Sequence, residues 1–457
     1  MARGSDARTG CRERSNDMAT EETITTRHDH VAVAPKCRAG VRHAHRGTSV
    51  GRHLTDEPKV PRISEWLKVP RITARLKVPR ITDRMESMSR LRVALTFDHC
   101  WRATPGGTGV ASIELANALA ARSDVAVVGV AGNHRRPATA GFEPPVSVAR
   151  LPLRGAALVE STLRLRWPLV ERATGPIEVL HATSIIPLSA RPATPLVVTV
   201  HDLAFLHHPG YFTARGRRVF ARALAMVREL ATLVLCSSQA TLADCAANGF
   251  DPARLRLIPL GVRVPTVTPA DVAAVRARHG LPEHYLLFVG TREPRKNLQR
   301  LLAAHQSLGA DVPPLVIVGA RGWGDDVADS YEASDRVHFI GHVASHELAA
   351  AYAGARALCY PSVMEGFGLP ILEAMAHGTP VLTSKGTSTE EVAAGAAVLV
   401  DPLEVSAIAA GIREVLARRD ELSQLGRTRA TGATWQHTAD LVVQAYRAAV
   451  EMGGRRA

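Results

Sequence analysis

From Leu91 onward, short apolar runs alternate with longer stretches in which apolar residues recur every three or four positions, and few architectures accept that alternation. LRVALTF (91–97) reads as a buried strand, HCWRATPGGTG (99–109) as a loop, and Val110, Ile113, Ala116, Leu119 and Ala120 as one face of a helix. VAVVGV (125–130), the runs at 177–180 and 196–200, a helix over 213–230, a strand at 232–236, a helix at 239–248 and a strand at 255–258 complete a first unit. Pro259, Gly261, Pro265 and Pro269 mark a linker. A second unit opens with YLLFVG (285–290), then a helix from Leu298, LVIVG (315–319), VHFIG (337–341), a helix near 346–354, the strand ALCY, VLV (398–400) and two helices over 404–425. Strands alternating with helices predict α/β folding with parallel sheets. We expect two doubly wound domains, 88–265 and 275–433, facing across a cleft, with a helix over 434–452 that can cross back to the first. In such sheets ligands bind outside the carboxyl ends of the strands.

Charge does not redirect that reading. The chain has 457 residues and a net charge of +13, but Met1 to Ser87 holds 18 Lys and Arg against 11 Asp and Glu, leaving +6 for the other 370 residues. That stretch repeats KVPRIS at Lys59, KVPRIT at Lys68 and KVPRIT at Lys77. Its prolines and scarce large apolar residues predict a disordered basic tail over 1–87, either an arm for an anionic partner or chain upstream of a functional start at Met88. No apolar run approaches the ~18 residues that cross a bilayer. Six cysteines without C-x-x-C or Cys/His ligand spacing indicate neither a disulfide framework nor a zinc site, so a cytoplasmic location is expected.

Two loops of the second unit carry the chemistry. Cys359 to Thr383, CYPSVMEGFGLPILEAMAHGTPVLT, predicts a strand end, a glycine-bearing loop, a two-turn helix begun by Pro370 and ended by Gly378, and another strand. Glu365 in the loop and Glu373 in the helix stand eight positions apart, and Gly366 and Gly368 let the backbone approach a ligand closely. GTREPRKN (290–297) sets Arg292, Arg295 and Lys296 ahead of a helix for which Asn297 is the expected N-cap, an arrangement suited to a diphosphate. No G-x-x-x-x-G-K-[ST] occurs, and Gly106-Gly107-Thr108-Gly109 lacks dinucleotide-motif spacing. In the first unit, the loop Pro105 to Gly109 could set N–H groups against a phosphate or sugar. VVTVHDL puts His201 and Asp202 at a strand end, and CSSQ (236–239) is better suited to capping a helix than to chemistry.

EGFGLPILEAMAHGTPV, GTREPRKN, VVTVHDL and the PGG loop, in these positions, resemble the retaining glycosyltransferases of family 4, bacterial mannosyltransferases among them, over about residues 90–450. The resemblance implies the GT-B fold of two Rossmann-like domains, with a nucleotide-sugar donor lying mainly on the second. It implies that Glu373 hydrogen-bonds the ribose, that Glu365 lies at the sugar, and that Gly366, Phe367 and Gly368 line its pocket. It also implies that Lys296 and a neighbouring arginine hold the diphosphate, that Gly107 contacts the donor and that His201 faces the reacting sugar. Where an arginine often follows the strand glycine this chain has Thr291, so Arg295, with Arg292 behind it, is assigned that role.

Breaking a sugar–phosphate bond puts negative charge on the departing diphosphate and positive character on the sugar, and fixed cations and a carboxylate answer both. No D-x-D motif is present and Asp325-Asp326 has no partner ligands, so neither a metal nor a cofactor beyond the donor is expected. The expected partners are the nucleotide sugar and a saccharide or lipid-linked acceptor, with no specific nucleic acid. Arg215, Arg217, Arg218, Arg222 and Arg228 share a helix with Phe220, Leu224 and Val227, which suggests peripheral contact with an anionic membrane. A nucleotide-sugar epimerase of the same architecture, or a basic nucleic-acid- or anion-binding protein, remain as alternatives.

Overall fold

The computed structural model describes residues 90–320 and 335–454, all within one compact unit, Lys77–Ala457. The tail with its repeat and Asp325-Asp326 lie outside the described residues.

The first sheet comprises β1 (Leu91–Thr96), β2 (Val125–Gly132), β3 (Val148–Leu151), β4 (Val179–Ala182), β5 (Leu196–Val200), β6 (Leu233–Cys236) and β7 (Leu255–Leu257), in the order β3-β2-β1-β4-β5-β6-β7. The second comprises β8 (Leu286–Val289), β9 (Leu315–Val318), β10 (Val337–Gly341), β11 (Ala357–Tyr360), β12 (Val381–Ser384) and β13 (Val398–Val400), in the order β10-β9-β8-β11-β12-β13. Every ladder is parallel. Helices cover both faces, so β4, β5, β6, β8, β9 and β11 are buried at every position. This explains their unbroken apolar runs.

The sequence reading omits β3 and the helix Gly155–Leu165 after it. VARL is a four-residue edge strand interrupted by exposed Arg150, too short and too polar to show an apolar run. The segment 106–109 is also corrected, because the helix begins at Gly106, with Pro105 as its N-cap residue, rather than at Val110. Near the linker, Pro269 starts the helix Pro269–His279, closed by a capping box in which Asp271 N donates to Thr268 Oγ1 and Thr268 N to Asp271 Oδ2.

The final helix, Trp435–Gly454, returns to the first sheet. Its buried Tyr446 hydroxyl lies 2.6 Å from His181 Nδ1 in β4, while His181 Nε2 meets Thr199 Oγ1 in β5 at 2.8 Å. Arg447 pairs with Asp124 at 2.7 Å. No helix among the described residues is long and apolar enough to cross a membrane.

The helix read as a membrane-contact candidate, Ala214–Leu230, spends its apolar face internally. Leu224 and Val227 are buried, and Phe220 stacks on Phe205 at 5.2 Å. Arg217 bonds the carbonyls of Pro209 and Phe212, and Arg222 pairs with Glu160. Phe220, Leu224 and Val227 are thus engaged within the domain, and Arg215, Arg217, Arg218, Arg222 and Arg228 are exposed on the helix.

Candidate active site

The helix Leu369–Ala376 is held by its apolar face, with Ile371, Leu372, Ala374 and Met375 wholly buried. Burial of each large side chain contributes about 1.5–3 kcal/mol, which anchors the helix as a rigid mount for Glu373. Its N-cap is Gly368 at φ +113, a conformation that disfavours a side chain, and Pro370 sits in its first turn. The loop just ahead of it touches the first domain. A Cβ on Gly366 would lie 2.1 Å from the His201 carbonyl oxygen, so glycine alone permits this approach. The Gly366 carbonyl accepts from Ser237 Oγ at 3.1 Å and from Thr241 Oγ1 at 3.3 Å. CSSQ thus caps a helix, Ser238 Oγ accepting from Thr241 N, and its Ser237 also ties the domains together. Glu391 adds a second tie, its carboxylate accepting from Gln239 N at 2.8 and 2.9 Å.

Glu365 is the centre of the site. Its Oε1 lies 2.6 Å from Lys296 Nζ and accepts from the Tyr360 hydroxyl at 3.0 Å, while its Oε2 accepts from Arg295 Nη1 at 3.0 Å. The Lys296 and Glu365 side chains are 10% and 7% exposed, so these charges act with little solvent screening. Burial alone would raise the Glu365 pKa, but Lys296 and Arg295 outweigh it and hold the carboxyl at about 2. Burial draws Lys296 down while Glu365 pulls it back, and Lys296 Nζ also donates to Tyr360 Oη at 2.5 Å. Burial likewise opposes the Arg295 charge, but Glu365, Asp202 and Glu293 hold its pKa above the ordinary value. Asp202 acts there from the first domain.

The loop carrying these cations differs from expectation at one residue. Asn297 occupies the N-cap position of the helix Leu298–Leu308 but makes no side-chain cap. It is left-handed (φ 62), and its Nδ2 donates to the carbonyls of Pro361 and Pro402 at 2.9 and 2.5 Å, pinning the cation loop to β11. Arg292 lies apart from the Glu365 cluster, with its guanidinium 5.5 Å from the centre of the Phe339 ring.

Glu373 forms a second pole. It accepts from the Tyr352 hydroxyl at 2.8 Å, and burial, opposed by that bond and reinforced by Glu114, raises its pKa. Glu114, from the first domain, pairs with the linker residue Arg263 at 2.9 Å. His201 is also drawn down by burial, and its Nε2–H donates to the Thr183 carbonyl at 3.2 Å, which assigns the proton to that nitrogen. Gly107 is exposed in the first turn of its helix with open space around its Cα, whereas Phe367 is buried in the core.

The structure therefore gathers Glu365, Lys296 and Arg295 into one cluster, sets Gly366 against His201, and leaves Glu373 with Tyr352, and Arg292 with Phe339, as separate groups. Tyr360, Tyr352, Glu293 and Glu391 are additional. Tyr360 lies within the CYPS stretch, where its place five residues before Glu365 was a usable signal, while nothing local marks Tyr352 or Glu391.

Residues 105–264 match the model described as Glycosyltransferase Family 4, and residues 273–430 match Glycosyl transferases group 1. O-antigen chain mannosyltransferase B of Escherichia coli is 34% identical over 265 residues, covering 55% of this chain and 70% of that protein. Sucrose-phosphate synthase from Thermosynechococcus elongatus superposes with a TM-score of 0.63 at 24% identity, over 78% of this chain and 98% of that one. Anabaena HepE, solved with UDP and glucose, gives 0.59 at 18% identity, over 79% and 100%. Two Rossmann-like sheets meeting over the Glu365 cluster are thus the halves of a GT-B glycosyltransferase. The chain belongs to the family 4 glycosyltransferases. It is accordingly an enzyme that transfers a glycosyl group, and the epimerase and nucleic-acid alternatives fall away as its primary activity.

Proposed function

We propose that this enzyme moves a hexosyl group, mannosyl first among the candidates, from a nucleotide-diphosphate sugar to a hydroxyl of a saccharide or lipid-linked acceptor, with retention of configuration. The observation that carries the reading is the ionised Glu365 held between Lys296 and Arg295. With donor bound, the two cations turn to the diphosphate and Glu365 is left to face positive character on the sugar. The bond between the anomeric carbon and the phosphate oxygen breaks, the acceptor oxygen bonds to that carbon from the same face, and its proton passes to the departing phosphate oxygen. Lys296 and Arg295 neutralise the charge that develops, so the reading assigns no step to a metal. Glu373 accepts from the ribose hydroxyls, Gly366 and Gly368 present backbone to the sugar, Gly107 contacts the donor, and His201 faces the reacting centre. The mannosyltransferase relative supports mannose as the transferred sugar, for which GDP-mannose is the first donor to try, and the HepE complex with UDP-glucose keeps that donor next. A panel of nucleotide sugars scored by thermal shift and donor hydrolysis tests this. Stabilisation and hydrolysis with one GDP- or UDP-hexose are expected, and a flat panel overturns the reading.

A further inference from the structure

At the carboxyl edge of the first sheet, on the β1–β2–β3 side, Arg102, Arg135, Arg136, Arg150 and Arg154 are all exposed. None is ion-paired with a carboxylate among the described residues, whereas Arg164, Arg166 and Arg222 elsewhere in this domain are.

One indole, Trp101, packs against two of these residues. The Arg150 guanidinium lies 4.6 Å from the centre of the Trp101 ring, and Trp101 stacks on His134 at 4.8 Å and donates from Nε1 to the Arg136 carbonyl. Arg154 reaches the Asn133 carbonyl, and the Arg102 carbonyl accepts from Thr139 in the same loop. Of the nearby acids, Asp98 is engaged by His134 Nε2 at 2.9 Å and Gly132 N at 3.0 Å, which leaves Glu143 as the exposed carboxylate of the 133–147 loop. Gathering guanidiniums without counter-charges opposes folding through mutual repulsion, and a bound anion removes that cost.

The patch lies on the same sheet edge as His201. Buried His99 follows β1 and its carbonyl accepts from Arg102 N at 3.1 Å, while burial, the Arg102 charge and the His201 ring together lower its pKa to about 3. In the sheet order, β1 is two strands from β5, whose end carries His201, β2 is three and β3, which carries Arg150, is four. At about 4.8 Å per strand these are separations of roughly 10, 14 and 19 Å.

We propose that this arginine edge holds a phosphate or diphosphate ester carried by the acceptor, some ~10–20 Å from its reacting hydroxyl. The forked guanidinium matches phosphate oxygens in pairs, and an edge of several such groups fits a doubly charged ester better than a single carboxylate. This deepens the proposed transferase reading by naming the acceptor class.

The probe is inorganic pyrophosphate, titrated by calorimetry into the full chain with GDP and UDP both saturating, against the variant R135S/R136S/R150S. Wild type should bind pyrophosphate under these conditions, and the variant at least about tenfold more weakly, with the difference shrinking as salt rises. Equal binding by the two proteins overturns the proposal. A second arm sediments both proteins with phosphatidylcholine vesicles, with and without phosphatidylglycerol. A variant deficit on the anionic vesicles with unchanged pyrophosphate binding would assign the patch to a bilayer surface and also overturn it. Prior titration of GDP and UDP alone confirms that the variant is folded and reports separately on the donor reading. Failure there in wild type leaves the comparison of the two proteins still decisive for the arginine edge.

Discussion

Replacing Lys296 by alanine perturbs the site at its most coupled point. The side chain is 10% exposed, with Nζ 2.6 Å from Glu365 Oε1 and 2.5 Å from the Tyr360 hydroxyl. Losing the sole partner of a buried charge costs about 3–5 kcal/mol, but Glu365 keeps Arg295 and Tyr360, so a folding cost of about 1–3 kcal/mol is expected. For domains of this size 2 kcal/mol corresponds to a fall in Tm of about 4–8 °C. The catalytic cost is larger, because a cation aimed at a departing diphosphate acts most strongly in the transition state. Removing such a group costs about 2.7–4 kcal/mol, or a hundred- to thousandfold in kcat. Initial rates of donor hydrolysis, measured well below the melting temperature of the variant established by circular dichroism, separate the two effects. A folded Lys296→Ala enzyme within about threefold of wild type in kcat/KM, an effect below roughly 1 kcal/mol, would refute the assignment of Lys296 to the diphosphate.

Glu373→Gln should weaken both the intact donor and the free nucleoside diphosphate by about 1–3 kcal/mol in calorimetry, while Glu365→Gln should lower kcat and scarcely affect the diphosphate; the reverse pattern would invert the placement of the ligand. Because burial raises the Glu373 pKa, its carboxylate is lost at higher pH than an ordinary glutamate, so donor affinity should fall on mild acidification; an affinity flat through that range would remove Glu373 as the ribose acceptor. Glu365 is shifted the other way: its contribution to stability is complete above the ordinary value of 4.5 and is lost as pH falls towards about 2, a window in which Glu365→Gln should melt with less pH dependence than wild type. Gly366→Ala should lower kcat at least about tenfold with a near-native melting curve, because its Cβ would sit 2.1 Å from the His201 carbonyl and push the loop from the first domain; full activity would show that the contact is dispensable. Glu391→Ala should leave each domain folded but raise the radius of gyration in solution scattering, since it frees the N–H of Gln239 from its carboxylate across the cleft.

The architecture was legible because buried parallel strands advertise themselves. LVIV and ALCY are apolar at every position, whereas VARL, at an edge and interrupted by Arg150, is not and was missed. Some of the local structure was legible for a related reason. A proline that starts a helix and cations beside a strand end are each decided within a few residues, as at Pro370 and Lys296, whereas Gly366, read as approaching a ligand, meets the His201 carbonyl far away in sequence. Asn297 shows the limit of local reasoning. Its residue type predicts a cap, which needs Oδ1 as acceptor, but Oδ1 accepts from Arg300 Nη1 at 2.9 Å while Nδ2 is held by the carbonyls of Pro361 and Pro402, neither of which is near it in sequence. Tyr352, Glu391 and Glu114 were illegible for the same cause. Each acts on a group from a different segment, Tyr352 on Glu373, Glu391 on Gln239 and Glu114 beside Glu373, and no spacing in the chain encodes those meetings. The pKa pattern follows from them. Glu365 and Glu373 are two buried glutamates eight positions apart, yet one is driven down by cations from the β8 loop and the other up by burial and a carboxylate from the first domain. The Glu373 shift therefore depends on the assembled cleft, whereas the cations that lower Glu365 share its own domain, so separating the two domains should bring Glu373 back towards the ordinary glutamate value and leave Glu365 below it.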